Sequence, residues 1–357
     1  MSWLKELTAK EFNPNAINAA VAAALKDKAK MQAFDVTENN VNEVINRRYQ
    51  LLQSVYTGCQ EFGDTKLKIS SQQTLEYLWH LWLPLAIKIE SQYKKLKRPF
   101  IQGFLGSQGT GKTTLCAVVS LILKHLGYQI LSLSIDDLYK TYSERLELQN
   151  KDPRLIWRGP PGTHDVNLGL SLIEKILQRQ TPIEVPRFDK SAYDGAGDRY
   201  ANSEIIHSVD IVLFEGWFVG AQPINLDVLN SRLNTGLSPI ITQADKNFAR
   251  DINANLIEYL PLWEKLDSLI ILYPVDYHLS LEWRKQAEHE MIASGKRGMS
   301  DVEIEQFVNY FWRSLHPELF ITPLTKLPNL VDLVIEVQAN HSFGRIYQPL
   351  PKSSVNL

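Results

Sequence analysis

Over the first hundred residues, apolar positions recur at helical spacing. Val41, Val44, Ile45, Leu52 and Val55 share one face; Leu75, Leu78, Trp79, Trp82 and Leu83 share another. Asn13-Pro14 and Gly63-Asp64 interrupt the pattern. Near residue 99 the pattern changes. Short runs rich in Val, Ile and Leu, with little alternation, occupy 101–105, 129–134, 209–214, 268–273 and 331–337. Runs of this kind predict strands covered on both faces, as in a parallel sheet. Helical stretches separate them; the first, 114–126, carries Leu115, Val118, Val119, Ile122 and Leu126 at helical spacing. The alternation predicts an α/β fold, doubly wound around a mostly parallel sheet, behind a helical N-terminal extension. The expected division is a helical region 1–98 and an α/β domain 99–357.

In such sheets ligands bind beyond the carboxyl ends of the strands, so the strand ends come next. The first predicted strand runs into Gly106-Ser107-Gln108-Gly109-Thr110-Gly111-Lys112-Thr113, which fits the phosphate-loop pattern G-x-x-x-x-G-K-[ST]. Glycines let successive backbone N–H groups turn around a phosphate, and the following helix adds its positive end. Residues 106–113, with Thr114, are therefore the candidate nucleotide cradle, and the sheet is expected to be of the P-loop nucleoside triphosphate hydrolase type. Lys112 would reach the β- and γ-phosphates of ATP, and the Thr113 hydroxyl would ligate Mg²⁺. The second strand leads into Asp136, Asp137 and Tyr139. Carboxylates at that place suit proton acceptance from a phosphoryl acceptor, metal support, or capping of the next helix. The third strand ends in Glu215-Gly216-Trp217. Apolar residues followed by an acid suit a metal-supporting carboxylate, with helix capping as the alternative.

Two polar loops lie between these strands. Arg158-Gly-Pro-Pro-Gly-Thr-His164-Asp165 is shaped by glycine and proline, and 185–199 is dense in charge. Loops both constrained and polar are candidates for function. Arg158, Arg187, Lys190 and Arg199 could bind an anionic acceptor or nucleotide phosphates, or serve as ordinary surface charge. After the fourth strand, Arg284 sits on a helical stretch followed by a loop with Arg297, the place for a lid over the phosphates near 281–301. Catalytic candidates are Lys112, Asp136, Glu215 and Arg284; metal candidates are Thr113, Asp136 and Glu215. A net charge of −2 gives no global pull toward nucleic acid. Cys59 and Cys116 form no metal or redox spacing, which fits a reducing compartment. The N-terminal residues lack a signal pattern, and the apolar stretch 78–87 is too short to span a bilayer, so cytoplasm is the expected location.

These residues carry a resemblance. Residues 106–114, 136–139 and 214–216 resemble the P-loop kinases that include phosphoribulokinase, uridine kinase and pantothenate kinase. Arg158 to Asp165, Val185 to Lys190, Glu215-Gly216-Trp217, Glu282 to Glu288, and Gly298 to Asp301 followed by Phe307-Val308, resemble the plant and cyanobacterial type of D-glycerate 3-kinase. The chain departs from that type at 310–317 and at Lys285. The resemblance covers about 99–340. It implies transfer from ATP, with Mg²⁺, to D-glycerate, giving 3-phosphoglycerate, the closing step of photorespiratory carbon salvage. Asp137, Tyr139, Arg158, His164, Asp165, Arg187, Lys190 and Arg199 are the implied acceptor residues. The expected protein is a monomer acting on a small molecule, without nucleic-acid or membrane partners. Other small hydroxyl acceptors, such as pantothenate or a nucleoside, and a non-catalytic ATP-binding regulator remain alternatives at this point. No Asn-Lys-x-Asp segment is present to read guanine.

Overall fold

The computed structural model describes residues 2–9, 11–295 and 298–350. Six strands form the main sheet: β1 (Phe100–Gly106), β2 (Ile130–Ser134), β3 (Ile211–Gly216), β4 (Ser268–Pro274), β5 (Leu333–Val337) and β6 (Phe343–Tyr347). Their order is β6-β5-β4-β1-β3-β2, parallel throughout except for β6, which runs antiparallel to β5 at one edge. The expected doubly wound α/β sheet is thus observed, with one edge strand added. β3 starts two residues later than its apolar run and extends through Gly216, so Glu215 lies within the strand, opposite Phe104 of β1.

The helices that build the body are α1 (Pro14–Lys26), α2 (Lys28–Ala33), α3 (Val41–Phe62), α4 (Ser71–Tyr77), α5 (Leu83–Lys95), α6 (Lys112–His125), α7 (Val166–Leu177), α8 (Gln243–Asn255), α9 (Leu279–Ala293) and α10 (Asp301–Ser314). The ends follow local chemistry. Asn13 caps α1 ahead of Pro14, and Ser70, Thr242 and Ser300 form capping boxes at α4, α8 and α10. A π-helical turn, Leu78–Trp82, joins α4 to α5.

Alternate residues of the strands feed two cores. On one face Phe104 and Leu213 pack with Leu115, Val118, Val119 and Ile122 of α6, and in the same cluster with Leu52, Trp79, Trp82, Leu85 and Ile89 of the N-terminal helices. On the other face Leu105, Val212 and Phe214 pack with Leu172 and Ile176 of α7 and Phe248 and Ile252 of α8. The helical region 1–98 is therefore a layer over the sheet that shares its core with the helix after the phosphate loop. No described helix is long and apolar enough to cross a membrane.

Candidate active site

The phosphate loop leaves fully buried β1 and enters α6 at Lys112, two residues earlier than the periodicity predicts. Gly109 and Gly111 take φ of +80° and +82°, a region that favours glycine. A Cβ at Gly109 would also lie 2.6 Å from the Trp283 Cβ of α9. The Thr110 hydroxyl donates to the Ser107 carbonyl at 2.8 Å and fixes the curl of the loop. Beside the loop, Trp217, Val308, Phe311, Trp312, Leu315 and Ile321 line an apolar slot with Ser107 and Gln108, of about 40 Å³.

Parallel pairing of β1 with β3 brings Glu215 to the start of α6. The Thr113 hydroxyl donates to Glu215 Oε1 at 2.9 Å, and Lys112 Nζ lies 3.9 Å from Oε2. A hydroxyl and a carboxylate oxygen side by side form a donor set suited to a hard divalent cation that keeps waters and phosphate oxygens as its other ligands.

Asp136 and Asp137 sit in a 3₁₀ turn, Ile135–Leu138, at the end of β2. They separate in role. Asp137 closes a capping box, accepting from the Ser134 amide at 3.0 Å, and receives Arg187 at 2.9 Å. Burial pushes its carboxyl above the usual value despite these donors. Asp136 accepts from Lys190 Nζ at 2.6 Å. Burial is the largest single influence and pushes its carboxyl up, but the charge and hydrogen bond of Lys190, with smaller help from His164 and Tyr139, together outweigh it, and the group titrates below the usual carboxylate value.

His164 is buried, stacked on Tyr139 at 4.4 Å between centroids, with its Nδ1 2.8 Å from the Tyr259 hydroxyl. That hydroxyl also accepts from the Gly162 amide at 2.9 Å. Burial pushes the imidazole down to about 3. Burial likewise keeps the Tyr139 hydroxyl protonated. Asp165 caps α7 and pairs with Arg199, whose Nε also donates to the Tyr139 carbonyl.

Of the four cations expected near an acceptor, Arg187 faces Asp137 and Glu204, Arg199 faces Asp165, and Lys190 faces Asp136. Arg158 differs: it donates to the Gly195 and Ala196 carbonyls and lies over the Phe188 and Tyr139 rings, with no carboxylate within 4 Å among the described residues. Beside it is Arg145, which the sequence reading passes over. Arg145 donates to the Ala196 and Gly197 carbonyls, stands over Phe188 and has no carboxylate within that distance either. Only a fold that brings 145 to 196 reveals it.

At the expected lid, α9 and α10 form a helical hairpin against each other. Arg284 pairs with the buried Glu288 one turn on and stacks over Phe307, leaving its Nε without a partner. In this arrangement its charge is held along the hairpin. Arg297 lies outside the described residues.

Comparison with known proteins relates the chain to kinases. Over 272 residues the chain is 32% identical to the chloroplastic D-glycerate 3-kinase of Arabidopsis thaliana, which spans 71% of this chain and 57% of that one. An uncharacterized kinase of Schizosaccharomyces pombe is also 32% identical, over 62% of this chain and 82% of its own length. A probable ATP-dependent kinase of Saccharomyces cerevisiae is 32% identical over 69% of this chain and 87% of its own length. The chain belongs with these ATP-dependent P-loop kinases. The solved structure of a D-glycerate 3-kinase from Cryptococcus neoformans matches with a TM-score of 0.68 at 26% identity, covering 74% of this chain and 98% of that one. No family model matches the chain. The match takes in little more than half of the Arabidopsis protein's length, while nearly all of the fungal structure is covered.

Proposed function

We propose that this P-loop kinase transfers the γ-phosphoryl of ATP to the 3-hydroxyl of D-glycerate, giving 3-phosphoglycerate and ADP. The observation that carries the chemistry is the meeting, at three adjacent strand ends, of the phosphate loop, the Thr113–Glu215 pair and the Asp136 carboxylate. The identity to the plant enzyme and the match to the fungal structure support the acceptor.

Phosphoryl transfer asks for positioning and charge neutralisation more than for covalent chemistry. Lys112 and the loop amides hold the phosphates. Thr113 and Glu215 would hold Mg²⁺, which when bound would supply positive charge against the phosphates. Asp136, kept ionised by Lys190, orients the acceptor hydroxyl and takes its proton. The glycerate carboxylate needs a cation whose charge is not already matched. Arg187 and Arg199 are committed to carboxylates, so Arg158, with Arg145 beside it, is the pair left to receive it.

The test is ADP release from the purified protein with Mg-ATP, with and without D-glycerate, and identification of the product. Strong stimulation with 3-phosphoglycerate is the expected result. Formation of 2-phosphoglycerate would refute the regiochemistry. Bound ATP without stimulation would refute the acceptor and direct the assay to pantothenate, nucleosides and other sugar acids.

A further inference from the structure

The N-terminal helices enclose a second cavity, of about 100 Å³, bounded by α1, α2, α3 and the π-helical turn Leu78–Trp82. Trp3, Ala24, Met31, Phe34 and Trp79 give it an apolar lining. Four polar residues also line it: Asp27, Lys30, Arg48 and His80. None of these residues belongs to the site described above.

The charges do not balance. Lys30 Nζ lies 3.6 Å from Asp27, which also caps α2. Arg48 has no such partner among the described residues. It is 7% exposed, its guanidinium stands 5.3 Å over the Trp79 ring, and a single terminal nitrogen reaches the Trp79 carbonyl at 3.4 Å. Its Nε is buried without a partner, as is His80 Nε2. Burial lowers Arg48 to about 10, so it stays charged at neutral pH. Burial, together with the charges of Lys30 and Arg48, pushes His80 down to about 4 and keeps it neutral. The cavity therefore holds one unmatched positive charge and two unused nitrogen positions.

A buried guanidinium without a counter-charge is costly for stability alone. π-helical turns are also frequent at functional sites, and this one carries Trp79 and His80 into the wall. The geometry points to a ligand site in the N-terminal helices for a small monocarboxylate with an apolar body. Each part of that class has its source. The single unmatched charge fits a monoanion. The planar fork of Arg48 fits a carboxylate better than a compact ammonium would. The aromatic and aliphatic lining fits a body without hydroxyls, and a volume of about 100 Å³ keeps that body small.

The test titrates the full-length protein with acetate, butyrate and benzoate. Butyramide serves as the uncharged control and inorganic phosphate as the other anion. Two readouts serve: tryptophan fluorescence, which reports Trp3 and Trp79, and the Arg48 Nε–H resonance, which locates the ligand without any substitution. Saturable binding of a carboxylate that shifts that resonance is expected, with no effect of butyramide. Arg48→Lys, which keeps charge and loses the fork, should weaken binding about tenfold or more, and Arg48→Met should abolish it. Lys112→Ala should leave it unchanged, which separates this site from the phosphate loop. Absence of saturable carboxylate binding at millimolar concentrations, or an unmoved Arg48 resonance, would overturn the site. Equal binding of butyramide, or phosphate binding instead, would overturn the ligand class.

Discussion

Burial acts on the Asp136 carboxyl against the groups around it, of which Lys190 is the foremost, and those groups together prevail. Replacing Lys190 by Met leaves burial unopposed by that charge, so the carboxyl must titrate higher. The acid limb of kcat/KM should then move to higher pH, with little change in the plateau. An unmoved limb would show that Asp136 is not the proton acceptor. Asp136→Asn should lower kcat by about 10²- to 10⁴-fold, the usual span for a general base, while ATP still binds. A parallel loss of ATP binding would point to a metal role instead. His164 makes a stability prediction. Its folded-state value of about 3 lies below the ordinary histidine value, so between the two the unfolded chain binds a proton that the native state refuses. Stability is therefore lost as pH falls from about 6 toward 4. Fully expressed, the group contributes about 1.4 kcal/mol per pH unit to that slope. Urea unfolding at pH 7, 6, 5 and 4 should show the shallower slope in His164→Gln.

At the scale of elements, the loop and helix α9 fit one another through Gly109. An alanine there meets the Trp283 Cβ at 2.6 Å and must also hold a φ of +80°. The φ alone costs about 1–2 kcal/mol. Gly109→Ala should therefore both destabilise the fold and weaken nucleotide binding. Adding Trp283→Ala should relieve the clash but not the backbone cost, so recovery stays partial; full recovery of ATP affinity would mean that the φ is not required. This contact also shows where sequence reading stops. The four inner strands β1, β3, β4 and β5 were legible because burial on both faces demands apolar-rich runs; β2, at the other edge with Ser132 exposed, was legible from Ile130, Leu131 and Leu133. The phosphate loop was legible because its chemistry needs fixed residues at fixed spacing. β6 was not, since Phe343, Ile346 and Tyr347 at a sheet edge, beside Gly344 and Arg345, give no run. The ribbons pairing 183–185 with 204–206 and 188–189 with 198–199 are too short to show a period. The sequence marks Arg158, Arg187 and Arg199 equally. What separates them is which carboxylates the fold brings to each, across 50 residues for Arg187 and 34 for Arg199. Arg145 was missed for the same reason.

For the whole molecule, the question is whether residues 1–98 are an accessory domain or part of the kinase body. The composition change near residue 99 suggests a boundary, yet the packing crosses it. Leu85, Ala86 and Ile89 of α5 are fully buried in the cluster that holds Val118, Val119 and Ile122 of α6. The Tyr93 hydroxyl also donates to Asp210, just ahead of β3, at 2.8 Å. A separate domain would bury its own apolar face and meet its neighbour through a smaller, more polar surface. Here the covering layer supplies one side of the core beneath the helix that bears Lys112 and Thr113. Cutting away 1–98 would leave that side of α6 in water, and the remainder should not fold cooperatively. A milder perturbation gives the sharper test. Leu85→Ala should cost about 2–5 kcal/mol, as for other fully buried leucines. That cost should appear in a single unfolding transition, with far-UV circular dichroism and loss of ATP binding sharing one midpoint. Two separated transitions, with ATP binding surviving the first, would show that the N-terminal helices are an independent unit and that the shared core contributes little to the phosphate site.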